Sequence, residues 1–187
     1  PLTGKFMKKT NHGFTLVEML IVIVAVGIIG SITARLLFQG SDMFVKETNR
    51  QGFISEARSS FWRVFRESHG QSSKEEYTFS SSNNLFIRHS NNIQKQILVD
   101  DQYLNLKIGN GSQNKLSDKL STSSLTYYDN NYNIISPSQG GLTQDQAKSI
   151  HISKIDFTFV NDEDTIKLSS FIYPYNFKYG EKMTYHE

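Results

Sequence analysis

Between Phe14 and Ala34 the chain runs 21 residues with a single charge, Glu18, and this stretch constrains the fold more than any other feature. As an α-helix rising about 1.5 Å per residue it is about 30 Å long, enough to cross the hydrocarbon core of a bilayer. No other segment of the 187 residues is long and apolar enough to do so, which excludes a polytopic transporter. The rest of the length accommodates one domain and excludes a large multidomain enzyme. Lys5, Lys8 and Lys9 precede the run and a lone Arg35 follows it. The positive-inside bias therefore places the N-terminus in the cytoplasm and everything after Arg35 outside, in the periplasm or beyond.

Charge and cysteine usage narrow the function classes. The formal net charge is +2, but from Phe14 onward 17 basic side chains face 18 acidic ones. The excess lies in the leader, and the remainder is not a basic domain built to neutralise phosphates, so nucleic acid is not an expected partner. Only a local patch around Lys115 and Lys119 keeps a DNA-uptake reading open. The absence of cysteine excludes disulfides, thiolate metal sites and thiol nucleophiles.

The order of the N-terminal parts is unusual. Met7 reads as the natural start, with Pro1 to Phe6 as upstream sequence. A secretory signal places a short apolar core before a small-residue cleavage site. Here the small residue, Gly13, comes between the basic segment and the apolar run, so cleavage at Gly13/Phe14 removes the charges Lys8 and Lys9 and keeps the helix. Glu18 is a second anomaly. An ionisable group near the middle of a membrane helix costs about 2.5–3.5 kcal/mol and marks a functional site by default, the alternative being a carboxylate that snorkels from a helix end. Gly27 and Gly30 cost about 1 kcal/mol each relative to Ala and are spaced by three residues rather than the four of the helix-dimer motif.

Lys8-Lys9-Thr10-Asn11-His12-Gly13 followed by Phe14-Thr15-Leu16-Val17-Glu18 and an unbroken apolar stretch closely resembles the class III signal of type IV prepilins and type II secretion pseudopilins. The resemblance implies that a prepilin peptidase and methyltransferase cuts after Gly13 and methylates Phe14. It also implies that Glu18 pairs with the N-terminal ammonium of a neighbouring subunit and sets register in a filament. At about 4 Å and an effective dielectric near 20, such a pair is worth about 4 kcal/mol before desolvation. Other pilin or pseudopilin subunits, an inner-membrane assembly platform and, before assembly, membrane lipid are the implied partners. Bulk pilus subunits usually carry a helix-bending proline about twenty residues after the cut. Thr33-Ala34-Arg35-Leu36 has none, which favours a minor pilin or pseudopilin. The length and order of elements in the head resemble the larger minor subunits, the J-type pseudopilin and W-type minor pilin.

Beyond Arg35 the apolar residues thin to a stripe. The spacing of Ile54, Ala57, Phe61 and Val64/Phe65 predicts one buried helical face, with Trp62 counted among the core aromatics. Glu56, Arg58, Arg63, Arg66 and Glu67 fall on the solvent side. One long helix from Phe14 to about Ser68 is expected, frayed near Gly40 and Gly52 and stopped by His69-Gly70. The expected divisions are a leader over 1–13, a transmembrane and assembly helix over 14–35, its amphipathic continuation over 36–69 and a β-rich head over 70–187.

In the head, strands are predicted at Tyr77–Phe79, Leu85–Arg88, Ile93–Val99, Tyr103–Ile108, Leu125–Asp129, Tyr132–Ile135, Ile155–Phe159 and Ile166–Ser170, with a short helix within Leu142–Ser149. Asn161-Asp162-Glu163-Asp164 is read as the last turn, and Pro174 ends the pairing. The fold class is α+β, a long N-terminal helix packed on a mainly antiparallel sheet whose other face is open to solvent or partners.

No catalytic constellation stands out. The acidic run lacks the alternating oxygen ligands of a calcium loop, and Asp100-Asp101 reads as a turn. His12, His69, His89, His151 and His186 share no ligand spacing. Nucleophile-elbow and phosphate-loop patterns are missing, and Gly109-x-Gly111 is too short for a dinucleotide site. The expectation is a structural subunit that is not an enzyme and needs no metal or cofactor. A single-pass anchored enzyme or binding module, using residues 14–34 only as an anchor, is the alternative.

Overall fold

The computed structural model describes residues 13–162 and 164–179. Lys8, Lys9, His12, Glu163 and His186 lie outside the described residues. The chain divides into two units at Asn49/Arg50, and one helix, α1 (Leu16–His69, 54 residues), supplies elements to both.

In the first unit α1 satisfies its own backbone, as a segment in hydrocarbon must. Its hydroxyls also turn inward: Ser31 Oγ donates to the Ile28 carbonyl, Thr33 Oγ1 to that of Ile29 and Thr48 Oγ1 to that of Phe44, each at 2.8 Å. Every residue from Gly13 to Gly52 is exposed. The expected fraying at Gly40 and Gly52 does not occur, and the helix runs unbroken through both. Two isolated glycines cost about 1 kcal/mol each, too little to interrupt so long a cooperative helix. After His69 the last turn tightens, with the Gly70 N–H donating to Glu67 O and the Gln71 N–H to Ser68 O.

In the second unit the helix acquires a buried face made by Phe53, Ala57, Ser60, Phe61, Val64, Glu67 and Ser68. The three-and-four spacing is as predicted, but the stripe is rotated. Ile54 and Phe65 are only partly buried, Trp62 is 58% exposed, and Glu67, assigned to the solvent side, is inside. Glu67 can be buried because two cations hold it, Arg63 Nε at 2.9 Å and Lys95 Nζ at 2.5 Å, with the His89 ring beside it at 3.4 Å.

The strands form two four-stranded antiparallel sheets rather than one. In the first, β1 (Asn84–Arg88), β2 (Gln94–Asp100), β3 (Tyr103–Ile108) and β4 (Gln113–Ser117) lie side by side in chain order. The second contains β5 (Leu120–Tyr128) and β6 (Ile134–Ile135), then, after helix α2 (Gln144–Ser149), β7 (Ile152–Asn161) and β8 (Asp164–Ile172), in the order β6-β5-β7-β8. Strand β4 was not expected because Gln113-Asn114-Lys115-Leu116-Ser117 sits on a sheet edge and has almost no apolar alternation. The predicted strand at Tyr77–Phe79 is instead the end of a 3-10 turn, Lys74–Tyr77, followed by a left-handed residue, Phe79. Tyr132 is likewise a left-handed loop residue outside β6. Asn161 pairs with Asp164, so the last turn is tight. Helix α2 opens with a capping box in which the Thr143 and Gln146 side chains satisfy each other's backbone N–H groups.

The core joins the helix to both sheets. Phe61 meets Phe157 of β7 edge to face at 6.1 Å, and Ser60 Oγ donates to the Leu116 carbonyl of β4 at 2.7 Å. Tyr77 and Tyr127 meet at 5.8 Å. Burial pushes both phenols up, Tyr77 to about 12. Tyr127 still has a partner, donating to Ser81 O at 3.0 Å.

Two tests follow from this packing. A Cβ on Gly141, where φ is +92°, would lie 2.4 Å from the Phe79 carbonyl oxygen, whereas one on Gly140 would meet nothing within 4 Å. Gly141→Ala is expected to cost about 2 kcal/mol or more and Gly140→Ala well under 1, read by denaturant unfolding of the head's tertiary signal. The second concerns Asp129, whose carboxylate accepts the Asn133 side-chain amide and the backbone N–H groups of Asn133 and Asn131. These bonds, Asn133's first, hold its carboxyl below the ordinary range. The stabilisation is present above about pH 4 and is lost as pH falls through the lowered value. The Asn131 and Asn133 amide resonances are expected to shift only below about pH 4.

Candidate functional site

The sequence motif converges on the start of α1. Residues 13–15 have no regular secondary structure, so the Gly13–Phe14 bond lies in open chain just before the first helical residue, Leu16. Nothing approaches within 4 Å of where a Gly13 Cβ would stand, and Phe14 is 76% exposed. A peptide bond in this setting can enter a peptidase cleft without unfolding a helix first.

Thr15 and Glu18 then close the helix end. The Thr15 backbone N–H and Oγ1 both donate to Glu18 Oε2, at 2.8 and 2.9 Å, and the Glu18 N–H donates to Thr15 Oγ1 at 3.3 Å. The Thr15 carbonyl accepts the first helical bond, from Met19. This is a capping box, in which two side chains satisfy N–H groups that a helix start would otherwise leave unpaired. The carboxylate also sits at the positive end of the helix dipole. Sequence reasoning missed this intrachain role, although Thr-x-x-Glu before an apolar run is its direct signature. Both Thr15 bonds fall on Oε2, which leaves Oε1 able to accept from a further donor.

Elsewhere the candidate residues remain apart. Lys115 Nζ pairs with Asp118 Oδ2 at 2.7 Å, which raises the Lys115 pKa and lowers that of Asp118. Half of the suspected basic patch is thereby neutralised. His69 Nδ1 contacts the Phe65 carbonyl at 3.0 Å, His89 Nε2 contacts that of Glu67 at 3.0 Å, and the His151 ring packs on Tyr173 at 5.2 Å. Among the described residues no three His, Asp or Glu side chains are placed to hold a metal ion. Asp164, at the acidic turn, takes Arg50 at 3.2 Å.

The family model described as the prokaryotic N-terminal methylation motif matches residues 8–34. The N-terminus carries a prepilin-like signal. The match brackets Gly13, Phe14 and Glu18 and ends inside the uncovered part of α1. The motif supports a type IV pilin-like or pseudopilin-like protein and suggests a structural one; it implies processing by a prepilin peptidase and assembly with other pilins. An apolar helix with this motif fits anchoring in a membrane before entry into a pilus. No curated protein matches the chain significantly.

The capping geometry generates its own prediction. Thr15→Ala removes the hydroxyl and is expected to weaken the helix start by about 1 kcal/mol. Amide exchange at Val17 to Met19 should accelerate about fivefold in lipid nanodiscs, while residues beyond Ile23 stay unchanged.

Proposed function

We propose that this chain is a minor pilin or minor pseudopilin, of the kind of the larger J-type or W-type subunits. In this reading it is processed at Gly13/Phe14 and assembles through α1 into a type IV pilus or type II secretion pseudopilus. The observation that carries the proposal is a coincidence of position: the methylation motif over 8–34 overlies the first part of α1, an apolar stretch long enough to cross a membrane that has no burial within the chain. A signal anchor for an enzyme would need the apolar run, but neither Gly13 nor Glu18.

Lys8 and Lys9 hold the leader on the cytoplasmic side, with residues 14–35 in the membrane and the head outside. Hydrolysis of the Gly13–Phe14 bond discards the leader and frees the Phe14 amine. That amine exchanges one hydrogen for a methyl group from a methyl donor. An N-methyl amine still protonates, so the new terminus remains a cation able to pair with a carboxylate. The assembly platform then transfers the helix from lipid into a bundle of like helices. Both environments are apolar, so apolar burial changes little and does not fix the axial register. Glu18 supplies that information, because its carboxylate finds a partner only where a neighbour's Phe14 ammonium lies at the same depth. The missing proline near Ala34 and the long polar head support a minor position, at the tip, over a bulk shaft subunit.

The mass of the mature N-terminus tests the reading. N-methylated Phe14 is expected, and an intact leader in cells with active peptidase would defeat it. Glu18 variants then separate capping from register. Glu18→Gln can still accept from Thr15 but carries no charge, whereas Glu18→Ala loses both functions. Both variants are expected to be processed yet recovered at about one tenth or less in sheared filaments. Full recovery of Glu18→Gln would reduce Glu18 to a helix cap.

A further inference from the structure

We propose that the cleft between the last turns of α1 and strands β3 and β4 is a docking site for an acidic protein segment with an apolar anchor residue. The neighbouring subunit that would contribute this segment follows from the filament reading above. The cleft has a volume of about 550 Å³ and is lined from the helix by Trp62, Arg63 and Arg66 and from the sheet by Leu106, Ile108 and Lys115, among others. Leu106, Ile108 and Leu116 give the lining an aliphatic part, Ser59, Ser60 and Asn114 a polar one, and Arg63, Arg66 and Lys115 supply cations from both the helix and the sheet. None of its lining residues is acidic. The complement of such a surface is an aliphatic or aromatic side chain flanked by carboxylates.

Trp62 makes the cleft a contact surface. Its indole stands nearly perpendicular to Phe65 (5.1 Å, 85°) and Phe61 (6.0 Å, 78°). Two aromatic edges anchored in the core thus fix a side chain that is 58% exposed. An ordered, amphipathic aromatic loses little conformational freedom on binding, and Trp and Arg dominate the energetics of protein interfaces. Within the chain, Arg63 is engaged by Glu67 and Lys115 by Asp118, while Arg66 is exposed and carries most of the complementarity. An acidic sugar would meet the same cations and indole, but the aliphatic part of the lining, Leu106, Ile108 and Leu116, is covered by an apolar side chain and not by a sugar.

Trp62 is the only tryptophan of the chain, so its emission reports this site alone. The experiment titrates the full chain, in protein-free micelles of a zwitterionic detergent, with a blocked hexapeptide Glu-Glu-Leu-Leu-Glu-Glu. Parallel titrations use the same peptide with Gln for every Glu and a short polygalacturonate. Saturable, blue-shifted emission with the acidic peptide is expected, at least tenfold weaker with the Gln peptide. Arg66→Glu should weaken the acidic peptide at least tenfold and Arg66→Lys by no more than about threefold, with the far-ultraviolet spectrum unchanged in both. Equal binding of the two peptides, no saturable change, or saturation by polygalacturonate alone would overturn the proposal. The titration needs no processing at Gly13, so a chain that binds the peptide yet keeps its leader in cells defeats the filament reading and not this one.

Discussion

From Leu16 to Val45 large apolar side chains lie on every side of α1, between 48 and 82% exposed, and the part of the chain that folds as a head does not bury them. Fully burying one Leu, Ile or Val is worth about 1.5–3 kcal/mol, so a helix carrying so many cannot persist in water. It needs lipid, then other helices. From Phe53 onward the same helix meets the same demand within its own chain, against Phe157 and the two sheets. The division at Asn49/Arg50 therefore marks a change in what supplies apolar cover, without any break in the helix itself.

The two carboxylates most poorly suited to their places in α1 are reconciled in different ways. Glu67 is buried and is held by Arg63 one turn earlier, by Lys95 from β2 and by His89 from the loop after β1. Arg63 lies on the helix itself while Lys95 and His89 come from the first sheet and its loop, so the cluster ties the helix end to that sheet. Glu18 has no cation among the described residues of its own chain. Only the two Thr15 donors reach it. A carboxylate satisfied by neutral groups in an apolar run still favours a cation, and any such cation must come from outside this part of the chain.

What the sequence revealed depended on whether a residue's surroundings were local. The helix, its stop at His69, the β2 and β3 strands and the β7–β8 hairpin all rest on periodicity and turn chemistry within a few residues. The motif at Gly13, Phe14 and Glu18 was equally local. Trp62 and Glu67 were put on the wrong faces because their environments are set by partners far along the chain. Phe157, packed on Phe61, helps decide which way the helix faces, and Lys95 decides whether a carboxylate can go inside. Strand β4 exists because β3 offers it an edge, and its own side chains carry no pattern that says so. Leu142 accepts from the Phe79 N–H and donates to the Ser80 carbonyl, and the Ser80 N–H donates back to Tyr77 O, which draws Tyr77–Phe79 into a turn despite its strand-like composition.

The helix cap and the proposed register contact at Glu18 reinforce each other. A free glutamate at the end of a helix samples several rotamers, and fixing them for an ion pair costs entropy. The Thr15 hydroxyl and amide fix this one beforehand, both on Oε2, so that Oε1 is presented to an incoming ammonium with little further ordering to pay for. The amide that does so belongs to the residue immediately after Phe14, so the same bonds also orient the terminus that processing would create. Donor and acceptor of the contact between subunits would then be set by one local arrangement, repeated in every subunit that carries it. On this argument Thr15 is a positioning residue for Glu18. Its identity matters through the hydroxyl, and serine can replace it where valine cannot.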